Sequence, residues 1–159
     1  MNKLNEKIEY YQNGNVMMKS SFDENGNGIE ERFYENGNIR SRTPYKEGKR
    51  DGIVEWFHED RDIYVRTPHK EGKEHGIMEW FYENGNIQRR TSYKVGKRDG
   101  IEEGFYENGN IRWRAPYVED KEHGIEILWN EDGEIIQINH YRKGKLTESV
   151  NFDEISLSV

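Results

Sequence analysis

Phe33-Tyr34-Glu35-Asn36-Gly37-Asn38-Ile39 returns unchanged at residues 81–87 and 105–111. A degraded copy, FHEDRDI, occupies 57–63, and WNEDGEI occupies 129–135. The copies open at Phe33, Phe57, Phe81, Phe105 and Trp129, a period of 24 residues without slip. An earlier relative, YYQNGNV at 10–16, lies one residue out of phase. So strict a period means stacked copies of one small repeat, each resting on its neighbours, and not a globular core around a pocket.

Working outward from the motif, each repeat opens at a glycine: Gly28, Gly52, Gly76, Gly100 and Gly124. A strand such as 77–82 leads to Glu-Asn-Gly, and a second such as 86–93 leads to Lys-Glu-Gly-Lys, as at 46–49 and 70–73. Paired short strands joined by glycine turns describe a β-hairpin array. A helical reading fails, because each interrupting glycine costs ~1 kcal/mol in a helix.

Register depends on the turn. Asn-Gly can form a two-residue type I′ turn, or Glu-Asn-Gly a three-residue turn closed by a left-handed glycine bulge. The two differ by one residue, which flips the second strand's side chains between faces. Four positions recur: Ile29, Ile53, Ile77, Ile101 and Ile125; the motif aromatic; the isoleucine after the turn; and Tyr45, His69, Tyr93, Tyr117 and Tyr141. The bulged turn is the one expected to put all four on one face, with Gly37, Gly85 and Gly109 left-handed, and the same turn is expected at Lys-Glu-Gly. The predicted fold is all-β: an elongated antiparallel β-hairpin meander of period 24 with about eleven or twelve strands, a curled single-layer sheet with the Ile/Phe/Ile/Tyr face inside. Residues 1–9 read as an N-terminal cap or frayed segment and 10–147 as the array of five to six repeats. Residues 148–159, with Phe152, Ile155, Leu157 and Val159, read as a C-terminal cap.

Composition agrees with a thin apolar layer. Only 32% of the chain is hydrophobic against 35% charged, yet aromatics reach 13%, more than a solvated coil carries. A net charge of −7 argues against nucleic acid as partner, which needs a basic surface. The absence of cysteine removes disulfides, thiolate nucleophiles and cysteine metal sites. With no apolar leader at the start and no stretch near the ~20 apolar residues of a span, the expected location is cytoplasmic.

The pattern Gly-x-x-x-x-(Phe/Tyr)-Tyr-Glu-Asn-Gly-Asn-Ile followed by Tyr-Lys-x-Gly-Lys-x-x-Gly resembles the bacterial variant of the MORN repeat, the form found in YwqK-like antitoxin proteins. The resemblance covers about residues 10–147. It implies an elongated hairpin array with a binding or scaffolding role, protein partners and in some cases membrane phospholipids, and, for the antitoxin form, neutralisation of a toxin by direct contact. It implies no catalytic residues. Departures fall at Asp60-Arg61-Asp62, which replaces Asn-Gly-Asn, and at Asp120, which replaces the glycine of the second turn.

On the face opposite the expected core, the register places Tyr34, His58, Tyr82 and Tyr106 at one level. Arg32, Trp56, Trp80, Gly104 and Leu128 lie at the next, and Arg42, Arg66, Arg90 and Arg114 across the hairpins. Arginines beside aromatic rings suit stacking and the binding of carboxylates or phosphates. The candidate binding strip is therefore Trp56, Trp80, Tyr34, Tyr82, Tyr106, Arg42, Arg66, Arg90 and Arg114. The plainer reading has the arginines pairing with Glu30, Glu102 and Glu126 on a solvated face. A membrane surface is the disfavoured alternative partner, because basic residues are interleaved with acids. His75 and His123 sit two repeats apart, ~19 Å at the usual strand spacing. A shared metal needs ligands at ~2 Å, so no metal site is expected. The carboxylates recur at solvated turn starts, as at Glu35, Glu83 and Glu107, and no enzyme or cofactor chemistry is expected from them.

Overall fold

The computed structural model describes residues 4–152, which are all β, with sixteen strands and no helix among them. The chain divides into two compact units at Gly76 and Ile77. The N-terminal unit holds β1 (Asn5–Tyr10), β2 (Val16–Phe22), β3 (Gly28–Phe33), β4 (Ile39–Lys46), β5 (Lys49–Arg50), β6 (Gly52–Phe57), β7 (Ile63–Lys70) and β8 (Lys73–Glu74). The C-terminal unit holds β9 (Gly76–Phe81), β10 (Ile87–Lys94), β11 (Lys97–Phe105), β12 (Ile111–Val118), β13 (Lys121–Glu122), β14 (Gly124–Trp129), β15 (Ile135–Arg142) and β16 (Lys145–Asn151). Within each unit successive strands pair as antiparallel hairpins. The two-residue strands β5, β8 and β13 lie beside β4, β7 and β12. Residues 5–9, read from sequence as cap or frayed, belong to β1; residues 153–159, with Ile155, Leu157 and Val159, lie outside the described residues.

The motif turn is the expected one. The Tyr34 N–H donates to the Asn38 carbonyl at 2.8 Å and the Gly37 N–H to the Tyr34 carbonyl at 2.9 Å. Gly37, Gly85 and Gly109 have φ of 85°, 82° and 88°, a left-handed geometry that glycine enters without a Cβ penalty. The altered third copy keeps this turn: Arg61 stands where glycine does elsewhere, at φ 86°, and the His58 N–H still reaches the Asp62 carbonyl.

Beyond the turn the register departs from expectation. Phe33 pairs with Ile39, but Arg32 pairs with Ser41, so Arg40 is an extra residue in β4. The same shift leaves Tyr64, Arg112 and Ile136 as extra residues in β7, β12 and β15. A bulge of this kind reverses the alternation of everything after it. Ile29 consequently pairs with Pro44 while Tyr45 pairs with Gly28, so the four recurring positions do not share a face. The second turn differs too. Lys46 pairs with Lys49 across Glu47 and Gly48, at φ 51° and 73°. Positive φ at both central residues of a two-residue loop is the type I′ geometry, not the expected bulged turn. Glu119 and Asp120, at φ 47° and 67°, keep it without glycine. The next residue folds back, the Asp51 N–H meeting the Pro44 carbonyl at 3.1 Å, and this kink separates β5 from β6. Repetition of that break at β5, β8 and β13, together with β1, takes the number to sixteen where eleven or twelve were expected.

The buried side is a threonine face. Ser41, Thr43, Thr67 and Thr91 are buried there with Met18, Val54, Val65, Ala115 and Tyr117. Val54 is 1% exposed, worth ~1.5–3 kcal/mol for a side chain of this size. The opposite, isoleucine face is the one the sequence reading placed inside, yet Ile53, Ile77 and Ile125 are 54%, 55% and 50% exposed. His69 replaces Tyr45 in its register position and is buried, its Nδ1 3.0 Å from the Thr67 carbonyl oxygen.

Within each unit, neighbouring repeats are tied at both hairpin ends. At the motif end, the Tyr34 hydroxyl donates to the Phe57 carbonyl at 2.7 Å, Tyr82 to Phe105 at 2.7 Å and Tyr106 to Trp129 at 2.8 Å. The amides of Asn38, Asn86 and Asn110 donate to the carbonyls of Glu59, Glu107 and Glu131 at 2.6, 2.8 and 2.8 Å. At the other end, the Gly72 N–H reaches the Arg50 carbonyl and the Gly144 N–H the Glu122 carbonyl, both at 2.8 Å. Each such bond adds ~0.5–1.5 kcal/mol, repeated along the array.

Candidate binding surface

The nine residues of the expected strip fall in three places. Trp56 lies on the threonine face, in a cross-strand row running Arg32, Ser41, Trp56, Val65. Trp80 keeps company with Arg89, whose guanidinium lies 3.8 Å from the indole centroid. Arg42, Arg66, Arg90 and Arg114 are on the opposite face, because the bulge turns their strands over. There they form a ladder with Glu31, Glu55, Glu79 and Glu103, and not with Glu30, Glu102 and Glu126 as the sequence reading had it. Arg42 bridges Glu31 at 3.1 Å and Glu55 at 3.6 Å, and Arg66 meets Glu55 at 3.4 Å. Arg90 meets Glu79 and Arg114 meets Glu103, both at 3.6 Å. Tyr34, Tyr82 and Tyr106 sit at the motif turns, their hydroxyls already donated to the next repeat. Trp and ladder arginine therefore form no common strip.

The structure instead gathers a group that sequence reasoning left out. In the C-terminal unit the row on the threonine face runs Arg89, Gly104, Trp113, Leu128, Gln137. Gly104 takes the place that Trp56 and Trp80 hold in their repeats, and Trp113 on the paired strand lies over it: a Cβ at Gly104 would run into the indole. Beside the indole lies a cleft of about 440 Å³, lined by Trp80, Tyr82, Arg89, Gly104, Arg112 and Trp113 among others. Arg112 is the extra residue of the β12 bulge, which aims it over the Tyr106 ring at 5.6 Å. It is exposed and has no carboxylate within 4 Å among the described residues. The available signal was the lone glycine at the tryptophan level, with a tryptophan appearing on the neighbouring strand.

Below the cleft lies a polar network. Glu102 is buried, accepts from the Thr91 hydroxyl at 2.8 Å, and has Arg98 at 3.4 Å and Arg89 at 3.8 Å. A buried carboxylate is tolerable when paired and hydrogen-bonded in this way. Arg98 also lies 4.2 Å from the Tyr117 ring centroid, and the Tyr117 hydroxyl donates to Glu122 at 3.2 Å. Burial, joined by the Glu102 and Glu122 carboxylates and opposed by Arg98, pushes the Tyr117 phenol well above its ordinary range. At the type I′ turns Asp51 accepts from the Glu71 N–H at 3.2 Å and His123 from the Lys143 N–H at 3.4 Å, which gives these residues, each just before an opening glycine, a turn-bracing role. Among the described residues no three His, Asp or Glu side chains are grouped as metal ligands.

Compared with functionally curated proteins, the chain matches none. The MORN repeat variant pattern matches residues 4–24, 26–47, 74–94 and 98–119, more than half of the chain. The longest internal stretch left unmatched contains the altered third copy. MORN repeats are generally modules for interaction with proteins or membranes, and the family is a non-catalytic one. By the hairpin array and by this match, the chain belongs to the MORN repeat variant family.

Proposed function

We propose that the chain is a non-enzymatic protein-interaction module of the cytoplasm, antitoxin-like in action, which binds a protein partner along its β-repeat surface. One observation carries the reading. The invariant residues of the motif are committed to turns and to bonds between repeats, whereas the level holding Arg32, Trp56, Trp80, Gly104 and Leu128 differs from copy to copy. Variable aromatic and arginine side chains on a repetitive backbone are what recognition of one protein partner requires. The lipid-adaptor alternative is weaker, because the ladder arginines each face a glutamate and so offer anionic head groups little uncompensated charge. The test is affinity purification from the native cell read by mass spectrometry, with the wild-type chain and with Trp56→Ala/Trp80→Ala. A partner held by the wild type and lost from the folded double variant is expected. Equal capture by both, or no partner together with pelleting on anionic vesicles, overturns the reading.

A further inference from the structure

We infer that the cleft at Gly104 is the docking point for an acidic, extended segment of a protein partner, with Arg112 taking a carboxylate and Trp113 an adjacent aliphatic side chain. The inference rests on the interaction-module reading and names the chemistry of its contact. Three observations converge. At the level where the preceding repeat places Trp80, Gly104 leaves room for the Trp113 indole, which forms one wall of the cleft. Its lining carries two arginines and no carboxylate, in a chain whose net charge is −7. And its two arginines are in different states. Arg89 is held on Trp80 and near Glu102, so it is a fixed part of the wall. Arg112 is exposed and without a carboxylate partner among the described residues, so its fork of donors is free for a planar anion.

The aromatic half of the cleft selects against a bare inorganic anion. Trp113 is half-buried and presents a flat apolar surface beside the cation. A ligand that satisfies both must offer a carboxylate and an apolar group together. An extended peptide does so simply, because residues i and i+2 point to one side. Charge complementarity also rules on partner sign: a basic segment would meet Arg89 and Arg112 with like charge. The same level in the N-terminal unit offers no such place, since Ser41 and Val65 are buried beside Trp56 there.

The test uses the full chain and the capped peptide acetyl-Glu-Ser-Leu-Ser-Glu-amide, followed by the indole Nε1–H resonances of the four tryptophans. Expected is a saturable shift confined to Trp113 and Trp80, weakened by raised salt. Arg112→Gln, an exposed change, should weaken binding about tenfold, the loss of one charge-assisted contact of ~1.4 kcal/mol. Gly104→Ala, whose Cβ meets the Trp113 indole, should displace that wall of the cleft and weaken binding. Absence of a shift, an equal shift with lysine in place of both glutamates, or indifference to Arg112→Gln overturns the inference. So does a Trp113 shift produced by phosphatidylcholine–phosphatidylserine vesicles and not by the peptide, which would assign the cleft to lipid. A native partner lost from Trp56→Ala/Trp80→Ala but kept by Arg112→Gln defeats this contact while leaving the interaction module standing. Peptide binding at Trp113 with no native partner captured does the reverse.

Discussion

The two compact units use one hairpin backbone and fill it in opposite ways. In the N-terminal unit the threonine face is closed by Val54, Val65 and Thr67, all buried, and Trp56 packs in their row. In the C-terminal unit the copy opening at Gly100 has Glu102 in the position of Val54, likewise buried but ion-paired, and Gly104 in that of Trp56, with Trp113 laid over it beside a cleft. The difference teaches that these hairpins do not need a particular core. Turn geometry and backbone bonds between repeats hold the frame, and the face level is left to specialise. One unit spends that freedom on packing, the other on a charged, aromatic hollow.

The largest expected effect comes from exchanging the two solutions. Val54→Glu would bury a carboxylate where Ser41 stands in the place of Arg89, and should destabilise the N-terminal unit by ~1–3 kcal/mol. Glu102→Val in the C-terminal unit should change stability by less than ~1 kcal/mol, because Arg89 and Arg98 are each about two-fifths to one-third exposed and keep water as partner. Hydrogen exchange of the Thr67 and Thr91 amides reads the two units separately, and equal losses in both would break the comparison.

Alkaline titration comes next. The phenol of Tyr117 is raised in the folded chain above the ordinary value near ~10, so the folded state holds the proton longer than the unfolded one does. Its contribution is fully present below pH ~10 and is lost as the pH climbs from there toward the raised value. The C-terminal unit should accordingly weaken above pH ~10, and Tyr117→Phe should flatten that decline; an unchanged profile in the variant would place the loss elsewhere. The smallest effect concerns the motif turn. Arg61 adopts the left-handed geometry at a cost of ~1–2 kcal/mol, partly returned by its bond to Asn38 at 2.8 Å. Arg61→Gly should raise stability by ~1 kcal/mol and Gly85→Ala lower it by a similar amount, measured as opposite shifts in urea midpoint.

The repeat, the β class and the motif turn were legible because each rests on local chemistry: a fixed period, a glycine at a left-handed position, hydrophobic residues between turns. The faces were not. A single extra residue at Arg40, Tyr64 and Arg112 reverses the alternation, and nothing in those side chain types announces a bulge. The sequence reading therefore put Ile53 inside and paired Arg42 with the wrong glutamates. The second turn was misjudged for a related reason. Lys-Glu-Gly contains a glycine in either turn type, and the left-handed Glu47 looks like an ordinary solvated residue. Of the candidate site, Trp80 was legible as part of a variable level. Arg89, Arg112 and Trp113 were not, since their meeting depends on that register. Tyr34, Tyr82 and Tyr106 drew notice as outward aromatics, and their hydroxyls turn out to hold the next repeat.

Those tyrosine and asparagine bonds end on main-chain carbonyls, never on a neighbour's side chain. A repeat joined this way does not inspect the identity of its successor. Any segment that can present a strand and a carbonyl at the right height is acceptable in that place. Duplication of the coding unit then yields a working joint at once, with no compensating change across the seam. Divergence can begin the next generation, and it is free to begin where the joint is blind, at the level that now holds a tryptophan in one copy and a glycine in another.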